Sequence, residues 1–585
     1  MNHSRLSRAL LFAAIRQRRV LRQSEIAFIA LAALVGVGAG LLTFGQQLIA
    51  HGMQHVLYGI EDNRLSALAS ITHPWRLLAL PLGGLLLIGF AHFLRKGRAP
   101  IDVVEGNAMH GGRIPLRDNL VISVQTILSN GTGASVGLEA AYAQMGGGLG
   151  SIVGQWLHLR RNDLRTLVGA GAGAAIGAAF GAPLTGAFYA FEIVIGSYVP
   201  AAIAPVVAAS LMATVASRWL DVEPYLIATS ASQVLSFAQY LAFAGLGLLC
   251  AGLGIFVMRV VTAVEMKVQG ARQLGRWKPL VGGLLLMPIV YISPQALSSG
   301  HGALHLDLIL RPALTVLLVI IACKIAASVI SLSFGFRGGL FFASLFLGSV
   351  VGQAYAQIVN MLGIGVTIDP VDAALVGMAG LSVSIVGGPM TLAMLALEIT
   401  HNFALTGVVL TAAILSTAAT REAFGYSFST WRLHLRGSSM RSARDIGWAI
   451  SLTAGRVMRR DWVSIEETAR LREFRRRVPL GSASKAILID KQGRYAGIVS
   501  TATAYREDVA EDAPLSSIAT LRDTALQPSA RISEVLKAFD RHAADELAVI
   551  DPQTVVIGVV TEKYARRRYA EEIELSQREL FGETR

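Results

Sequence analysis

Apolar positions run almost unbroken through the first 435 residues, in stretches too long for the core of a soluble domain. The windows 26–50, 166–191, 193–217, 224–258 and 338–368 contain no Asp, Glu, Lys or Arg, and each exceeds the ~20 residues that cross a bilayer as a helix. The pattern predicts a polytopic helical membrane domain. Its runs are uneven and interrupted by Pro74, Pro81, Pro115, Pro183, Pro200, Pro205, Pro288, Pro312 and Pro389. Many segments must therefore be tilted, short or re-entrant, which is tolerated at membrane depth only where the freed backbone faces protein or a water-filled cavity.

Near residue 436 the pattern changes to dense charge with soluble alternation. A helical EETARLREFRRR precedes two strands, KAILID (Lys485 to Asp490) and YAGIVS (Tyr495 to Ser500). A second helix, Ile532 to Ala544, precedes ELAVID (Glu546 to Asp551) and TVVIGVVT (Thr554 to Thr561), and a basic helix follows. Helix, strand, turn, strand, ending each time in Gly-[IV]-Val-[ST], predicts a duplicated α/β module. The expected organisation is a basic segment 1–24, a transmembrane domain 25–435, a linker 436–454, and modules over 455–512 and 513–585.

The membrane region is also duplicated. GAPLTGAFYAFEI (Gly181 to Ile193) parallels GGPMTLAMLALEI (Gly387 to Ile399), matching at Gly181/Gly387, Pro183/Pro389, Thr185/Thr391, Ala187/Ala393, Ala190/Ala396, Glu192/Glu398 and Ile193/Ile399. GSIVG (Gly150 to Gly154) echoes GSVVG (Gly348 to Gly352). Two related halves with broken helices are the pattern of transporters whose site lies at the midplane between repeats.

Composition narrows the class. With 53% hydrophobic and 16% charged residues and a mean hydropathy of +0.53, the chain is neither a soluble enzyme nor an outer-membrane barrel. The 59 glycines fit helices packed closely through small residues. The net charge of +13 is topological rather than a nucleic-acid signal. Arg5, Arg8, Arg16, Arg18, Arg19 and Arg22 precede the first acid, Glu25, and the first apolar run, which places the amino terminus in the cytoplasm. That run is too long for a secretory signal. Cys250 and Cys323 lie in apolar runs and indicate no disulfide or metal framework.

Three glycine-rich stretches precede apolar runs: Gly131 to Ala141, Gly169 to Pro183 and Phe334 to Phe342. Helix starts expose unpaired N–H groups and the positive end of the dipole, so several converging starts make an anion site. One start contributes only about 0.3 to 2 kcal/mol, against about 2.5 to 3.5 kcal/mol for a side-chain charge at the helix centre, so convergence is required. Glu139, an acid directly after the first loop, is a functional candidate because intramembrane acids are costly. Glu192 and Glu398, as repeat mates, fit helix capping or packing as well as proton transfer. Gly133 to Gly137 has the G-x-S-x-G spacing but no α/β-hydrolase setting. His301 and His305 are expected in a loop between helices. No P-loop, HExxH or CxxC is present, so no ATP-driven pump is written here.

These residues resemble the CLC family of chloride channels and proton-coupled chloride transporters, and the tail is similar to the paired CBS domains that follow many members. The resemblance implies an inverted-repeat, all-α membrane fold followed by an α/β CBS pair. The family's GREGP segment resembles Gly137-Leu138-Glu139-Ala140-Ala141, which makes Glu139 the gating and proton glutamate and matches a downstream glutamine to Gln144. Its GGIFAP segment resembles GGLFFA, so Gly339, Leu340 and Phe341 are expected as backbone donors to the anion together with Gly137 and Leu138; Lys324 matches an upstream basic residue. The sequence departs from the family where its anion-coordinating serine loop should lie, at Gly97 to Pro100. Ser429 stands for the central tyrosine, Ile193 for the inner proton glutamate of antiporters, and Arg337 for a proline of the filter loop; Gln144, Glu192 and Arg337 are accessory candidates.

The implied function is movement of chloride or a similar small monovalent anion, coupled to protons through Glu139. The alternatives are a passive channel of the same family and, in a different class, a CBS-regulated divalent-cation transporter. A homodimer in the inner membrane with cytoplasmic termini is expected, without cofactor, metal or nucleic acid. Adenine nucleotide on the tail is weakly supported, because Ser500-Thr-Ala-Thr lacks the ribose-binding acid and Thr561 is followed only by Glu562.

Overall fold

The computed structural model describes residues 24–60, 65–94 except 69 and 72, 99–220, 236–425 except 364, the single residues 427, 428 and 431, and 452–581. The chain forms two compact units, Met1–Asp445 and Ile446–Arg585.

In the first unit the described helices are α1 (Glu25–Tyr58), α2 (Ala79–Phe93), α3 (Val103–Met109), α4 (Leu116–Gly131), α5 (Glu139–Trp156), α6 (Arg161–Phe180), α7 (Pro183–Tyr189) and α8 (Pro200–Arg218). The second half continues with α9 (Phe237–Gly270), α10 (Lys278–Ile292), α11 (His301–Leu310), α12 (Leu314–Ser333), α13 (Phe341–Leu362), α14 (Pro370–Val386), α15 (Pro389–Thr400) and α16 (Phe403–Ala423). Seven described helical segments are long and apolar enough to cross a membrane. The rest are shorter or less apolar, among them the seven-residue α3 and α7 and the twelve-residue α15, the last two opening at Pro183 and Pro389. The window 166–191 is not one span: α6 ends at Phe180, Gly181 takes a left-handed conformation (φ 66°) and Pro183 opens α7. A π-helical turn, Ala190–Ile195, then extends α7.

The two halves pack alike. Three of the four echo glycines lie at helix crossings where a Cβ would strike backbone: Gly150 against the Leu167 carbonyl at 2.5 Å, and Gly348 and Gly352 against the carbonyls of Gly377 and Ala373. α5 thus seats on α6 as α13 seats on α14. The stretch 169–183, expected as a helix start facing an anion, lies inside α6 and at its end. Its glycines instead let helices touch: Gly171 meets Gly146 and Gly173 meets Gly186, each against carbonyl oxygen. Small residues serve close packing here, the common use of such stretches in membranes. His301 is the first residue of α11 rather than part of a loop.

Two helix starts are filled reciprocally. Glu398, from α15, accepts from the N–H groups of Leu184 and Thr185 and from the Thr185 hydroxyl at 2.7, 2.8 and 2.6 Å. Glu192 accepts from the N–H groups of Met390 and Thr391 and from the Thr391 hydroxyl at 3.2, 2.9 and 2.7 Å. Each carboxylate of the repeat therefore caps the helix of the other half, where the N–H groups and dipole favour negative charge.

The second unit holds β1 (Ser464–Glu466), α17 (Leu471–Arg477), β2 (Lys485–Ile489), β3 (Tyr495–Ser500), α18 (Ile532–His542), β4 (Glu546–Ile550), β5 (Val556–Thr561) and α19 (Glu562–Phe581). β1 pairs parallel with β2, and β2 antiparallel with β3, in one sheet; β4 and β5 form an antiparallel pair. The two modules share a core of Ile487, Ile498, Ala548, Val556 and Val559. Most of the expected linker, 436–451, lies outside the described residues. Residues 452–459, assigned by sequence to the linker and the first module, pack on the second instead. Leu452, Ala454 and Val457 join the core of Ile532, Val535 and Phe539, and Arg459 bridges to Val559. This segment crosses to the second module because its apolar residues complete that module's core.

Candidate anion and proton site

The two glycine-rich loops that do precede helices meet. Gly137 N–H donates to the Gly339 carbonyl at 2.9 Å and Gly339 N–H to the Gly137 carbonyl at 3.1 Å, an antiparallel bridge between the two halves. Both loops turn directly into helices, α5 from Glu139 and α13 from Phe341, and neither helix start has a capping side chain. Glycine at the bridge leaves room for the acid: a Cβ at Gly137 would displace the Glu139 carboxylate, and one at Gly339 would lie 3.2 Å from Glu139 Oε2.

A buried polar network fixes the first loop. The Asn130 amide donates to the Val136 carbonyl at 2.7 Å and to Ser298 Oγ at 2.9 Å. Ser135 N–H donates to Ser331 Oγ at 3.0 Å, and Tyr58 donates to the Thr132 carbonyl at 2.9 Å. Lys324, 1% exposed, donates to the Ser298 carbonyl at 2.8 Å and to the Ala296 carbonyl at 3.4 Å, and lies 5.6 Å from the centre of the Phe346 ring. Around the second helix start an aromatic cluster forms: Phe180 packs on Phe341 and Phe342, His301 stacks on Phe342, and Tyr189 meets Phe341 edge-on at 6.0 Å.

Glu139 sits over the glycine bridge, 3% exposed. The main-chain N–H groups of Glu139 and Phe342 and the Lys324 ammonium act on it electrostatically, yet neither carboxylate oxygen has a hydrogen-bond partner of normal geometry among the described residues. That is the opposite of Glu192 and Glu398. Such a carboxylate is held less firmly than one on which several well-placed donors converge. It lines a cavity of about 490 Å³, together with Asp102, Gln144, Tyr189, Arg337, Gly339, Leu340, Phe341 and Phe428.

The expected site residues fall as follows. Glu139, Gly339, Leu340 and Phe341 line the cavity; Gly137 and Leu138 belong to the loop beneath. The amide role is corrected for two of them: Gly137 and Gly339 spend their N–H groups on each other, which leaves Leu138, Leu340 and Phe341 as the expected backbone donors. Gln144 lines the cavity and donates to Asn119 Oδ1 at 2.7 Å and the Ile101 carbonyl at 3.3 Å, so it ties α5 to the entry of α3. Arg337 donates to Gln125 Oε1 at 3.2 Å and lines the same cavity. Glu192 is not among the lining residues and caps α15. Ser429 lies outside the described residues, as do Gly97 and Arg98 of the departed serine loop. Phe428, the neighbour of Ser429, lines the cavity and is 7% exposed; sequence reasoning passed over it and over Tyr189, because aromatics in apolar helices read as core.

In the second unit a cavity of about 910 Å³ is lined by Arg459, Trp462, Lys485, Ser500, Thr501, Asp545 and Glu546 among others. Arg459 pairs with Glu546 at 3.1 Å, and Lys485 pairs with Asp545. Partial burial holds the Lys485 ammonium below the usual lysine range, and the nearby Glu546 opposes that shift.

Two halves of broken helices whose uncapped starts meet at a buried acid define a polytopic membrane transport protein. The family model described as "Voltage gated chloride channel" matches residues 78–421, and the chain belongs to that family. Its relatives include a ClcB-like chloride channel protein of Ralstonia nicotianae, 27% identical over 64% of this chain and 89% of the relative. The voltage-gated ClC-type chloride channel ClcB of Escherichia coli is 24% identical over 67% of this chain and 95% of its own. Among solved structures, a slow cyanobacterial Cl−/H+ antiporter superposes with a TM-score of 0.62 at 22% identity, covering 70% of this chain and 97% of that one. A eukaryotic CLC transporter superposes with a TM-score of 0.59 at 17% identity, covering 92% and 97%, so that likeness of fold takes in the tail as well. The family consists of channels and transporters rather than enzymes, and membership of a chloride-channel family sets aside the divalent-cation alternative.

Proposed function

We propose that the protein moves chloride, or a similar small monovalent anion, across the inner membrane in exchange for protons, with Glu139 as gate and proton carrier. The observation that carries this reading is the Glu139 carboxylate, buried over the glycine bridge and without a hydrogen-bond partner among the described residues. Ionised, it occupies the place that two helix starts prepare for an anion; protonated, it loses that attraction and yields. One side chain thereby exchanges a proton for access of an anion. The channel reading draws its support from Ile193, which stands where an inner acid is expected. The protein works as a homodimer with one pathway per subunit and cytoplasmic termini, and the tail tunes transport.

The deciding measurement is anion efflux from liposomes under an anion gradient, with the external pH recorded at the same time. Protons moving against the anion, in fixed ratio, are expected. Anion efflux with no proton movement selects the passive channel, and no anion efflux at all sinks both readings.

A further inference from the structure

The coupled reading lacks an inner proton acceptor. Ile193 is a partly buried hydrophobe packed on the core, and Glu192 beside it is held by two N–H groups and a hydroxyl. The cavity under Glu139 offers another route. Tyr189 and Asp102 both line it.

Tyr189 is 8% exposed. Its ring is fixed edge-on against Phe341, and no hydrogen bond engages its hydroxyl among the described residues. The phenol lines the same cavity as the carboxylates of Glu139 and Asp102, and both act on it electrostatically. The backbone is specialised at the same point. Tyr189 is the last α-helical residue before the π turn Ala190–Ile195, and π turns inside helices gather at functional sites. The repeat mate, Leu395, lies in a regular helix, Pro389–Thr400. The half that carries Glu139 therefore holds a phenol where the other holds a leucine, with a π turn directly after it.

Asp102 caps α3, accepting from Glu105 N–H through Oδ1 at 2.8 Å, and is half-buried. The other charged groups lining the cavity are Glu265, Lys278 and Arg337. Lys324 acts on Glu139. On α6, which packs against α3, Arg165 is occupied with the carbonyls of Asn107 and Ile195.

We propose that Glu139 passes its proton through the Tyr189 hydroxyl to Asp102, which serves as the inner acceptor in place of the position held by Ile193. The proposal rests on the coupled reading and deepens it. The step balances without any co-reactant: the O–H bond of the Glu139 carboxylic acid breaks as its proton joins the phenol oxygen, and the phenol releases its own proton to the Asp102 carboxylate. Tyr189 is regenerated, Glu139 becomes ionised and Asp102 becomes neutral. A hydroxyl is suited to this because it donates and accepts at once. Cavity water can lengthen the chain on either side.

The test uses the full chain in liposomes, with chloride efflux and external pH recorded together for wild type, Tyr189→Phe, Asp102→Asn and Glu139→Gln. Phenylalanine keeps the ring against Phe341, and asparagine keeps the N-cap, so both variants retain the groups that hold the fold. Chloride efflux is expected to persist in both, while the protons moved per chloride fall by about tenfold or more, the scale of a lost positioned proton carrier. Wild-type ratios in both variants, with the ratio lost only in Glu139→Gln, would overturn the relay and leave the coupled reading standing. An equal fall of both fluxes would show a merely structural role and overturn it too. Wild type moving chloride without protons would end the coupled reading and the relay with it. Should Asp102→Asn not reconstitute, the ratio in Tyr189→Phe decides alone.

Discussion

Two pairs of helix starts lie in the membrane unit and are treated in opposite ways. At Pro183 and Pro389 the N–H groups are closed by a carboxylate from the other half, each with three short hydrogen bonds. At Glu139 and Phe341 the starts are left open to a cavity, and the Glu139 carboxylate over them has no hydrogen-bond partner of normal geometry among the described residues. The first pair is symmetric, with Glu192 and Glu398 as mates; the second is asymmetric, with a carboxylate on one side and a phenyl on the other. A helix start can bind a negative charge permanently or leave the place exchangeable, and the difference lies in whether hydroxyl and amide donors converge on the same oxygens. Symmetry is kept where the carboxylates close helix starts, and it is given up at the starts that open on the cavity, where the proposed proton exchange calls for a single acid.

The largest effect is expected at the open pair. Glu139→Gln keeps the shape and removes the charge, so proton movement should vanish while anion efflux persists, by the same dual recording in liposomes. Proton transport of wild-type ratio in this variant would erase the distinction between the two pairs, since the exchangeable carboxylate would then have no exchange to perform.

At the closed pair the effect should fall on stability. Glu398→Gln replaces one acceptor oxygen by a donor that faces N–H groups, and hydrogen bonds to a charged acceptor contribute about 1.5 to 3 kcal/mol each at most. Thermal unfolding in detergent should come several degrees lower, with the proton-to-anion ratio of the surviving protein unchanged. A changed ratio at wild-type stability would show that this pair also belongs to the pathway.

Much of this division was legible in sequence, and for identifiable reasons. The apolar runs and the repeat predict the helices and their two halves, because spanning a bilayer imposes both length and apolarity. Glu139 stands out because burying an acid is costly. The reciprocal capping was open between two readings, since it depends on which helix start each carboxylate reaches some 200 residues away in the chain. The stretch 169–183 was misread because small residues serve helix starts and helix crossings equally well; only the positions of the carbonyls of Gly146 and Gly186 decide. Tyr189 and Phe428 gave no signal, as a single aromatic in an apolar helix looks like packing until a cavity opens beside it.

A smaller effect should sharpen the open side. Phe428 lines the cavity and brings no hydroxyl to it. Phe428→Tyr places a phenol next to the anion path. One added donor to an anion, offset by its own desolvation, should tighten chloride binding by calorimetry by about tenfold or less. Unchanged affinity would mean that the aromatic faces the cavity away from the anion.

The smallest effect belongs to the tail, where a duplicated device has stayed symmetric, as at the closed pair. Asp490 Oδ1 accepts from the N–H groups of Gln492 and Arg494 at 2.8 Å each, and Oδ2 from Arg494 Nε at 2.7 Å. Its counterpart Asp551 accepts from Gln553 and Val555 at 3.0 and 2.8 Å. Both close the hairpin turn of their module. The main-chain and guanidinium donors of Arg494 hold the Asp490 carboxyl below its ordinary range. A group whose folded-state value is depressed contributes stability above its unfolded value and loses it as pH falls through the folded one. Asp490→Ala should therefore raise the hydrogen-exchange rate of the amides of β2 and β3 in the full chain at neutral pH. The gap from wild type should close as the medium is acidified below the carboxylate range. Being exposed, the turn is screened and its contribution is modest, so transport at neutral pH should be unaltered. A gap that persisted at low pH would mean that the aspartate acts through its shape and not its charge. The tail's duplication would then rest on packing alone, unlike the charge-closed helix starts of the membrane unit.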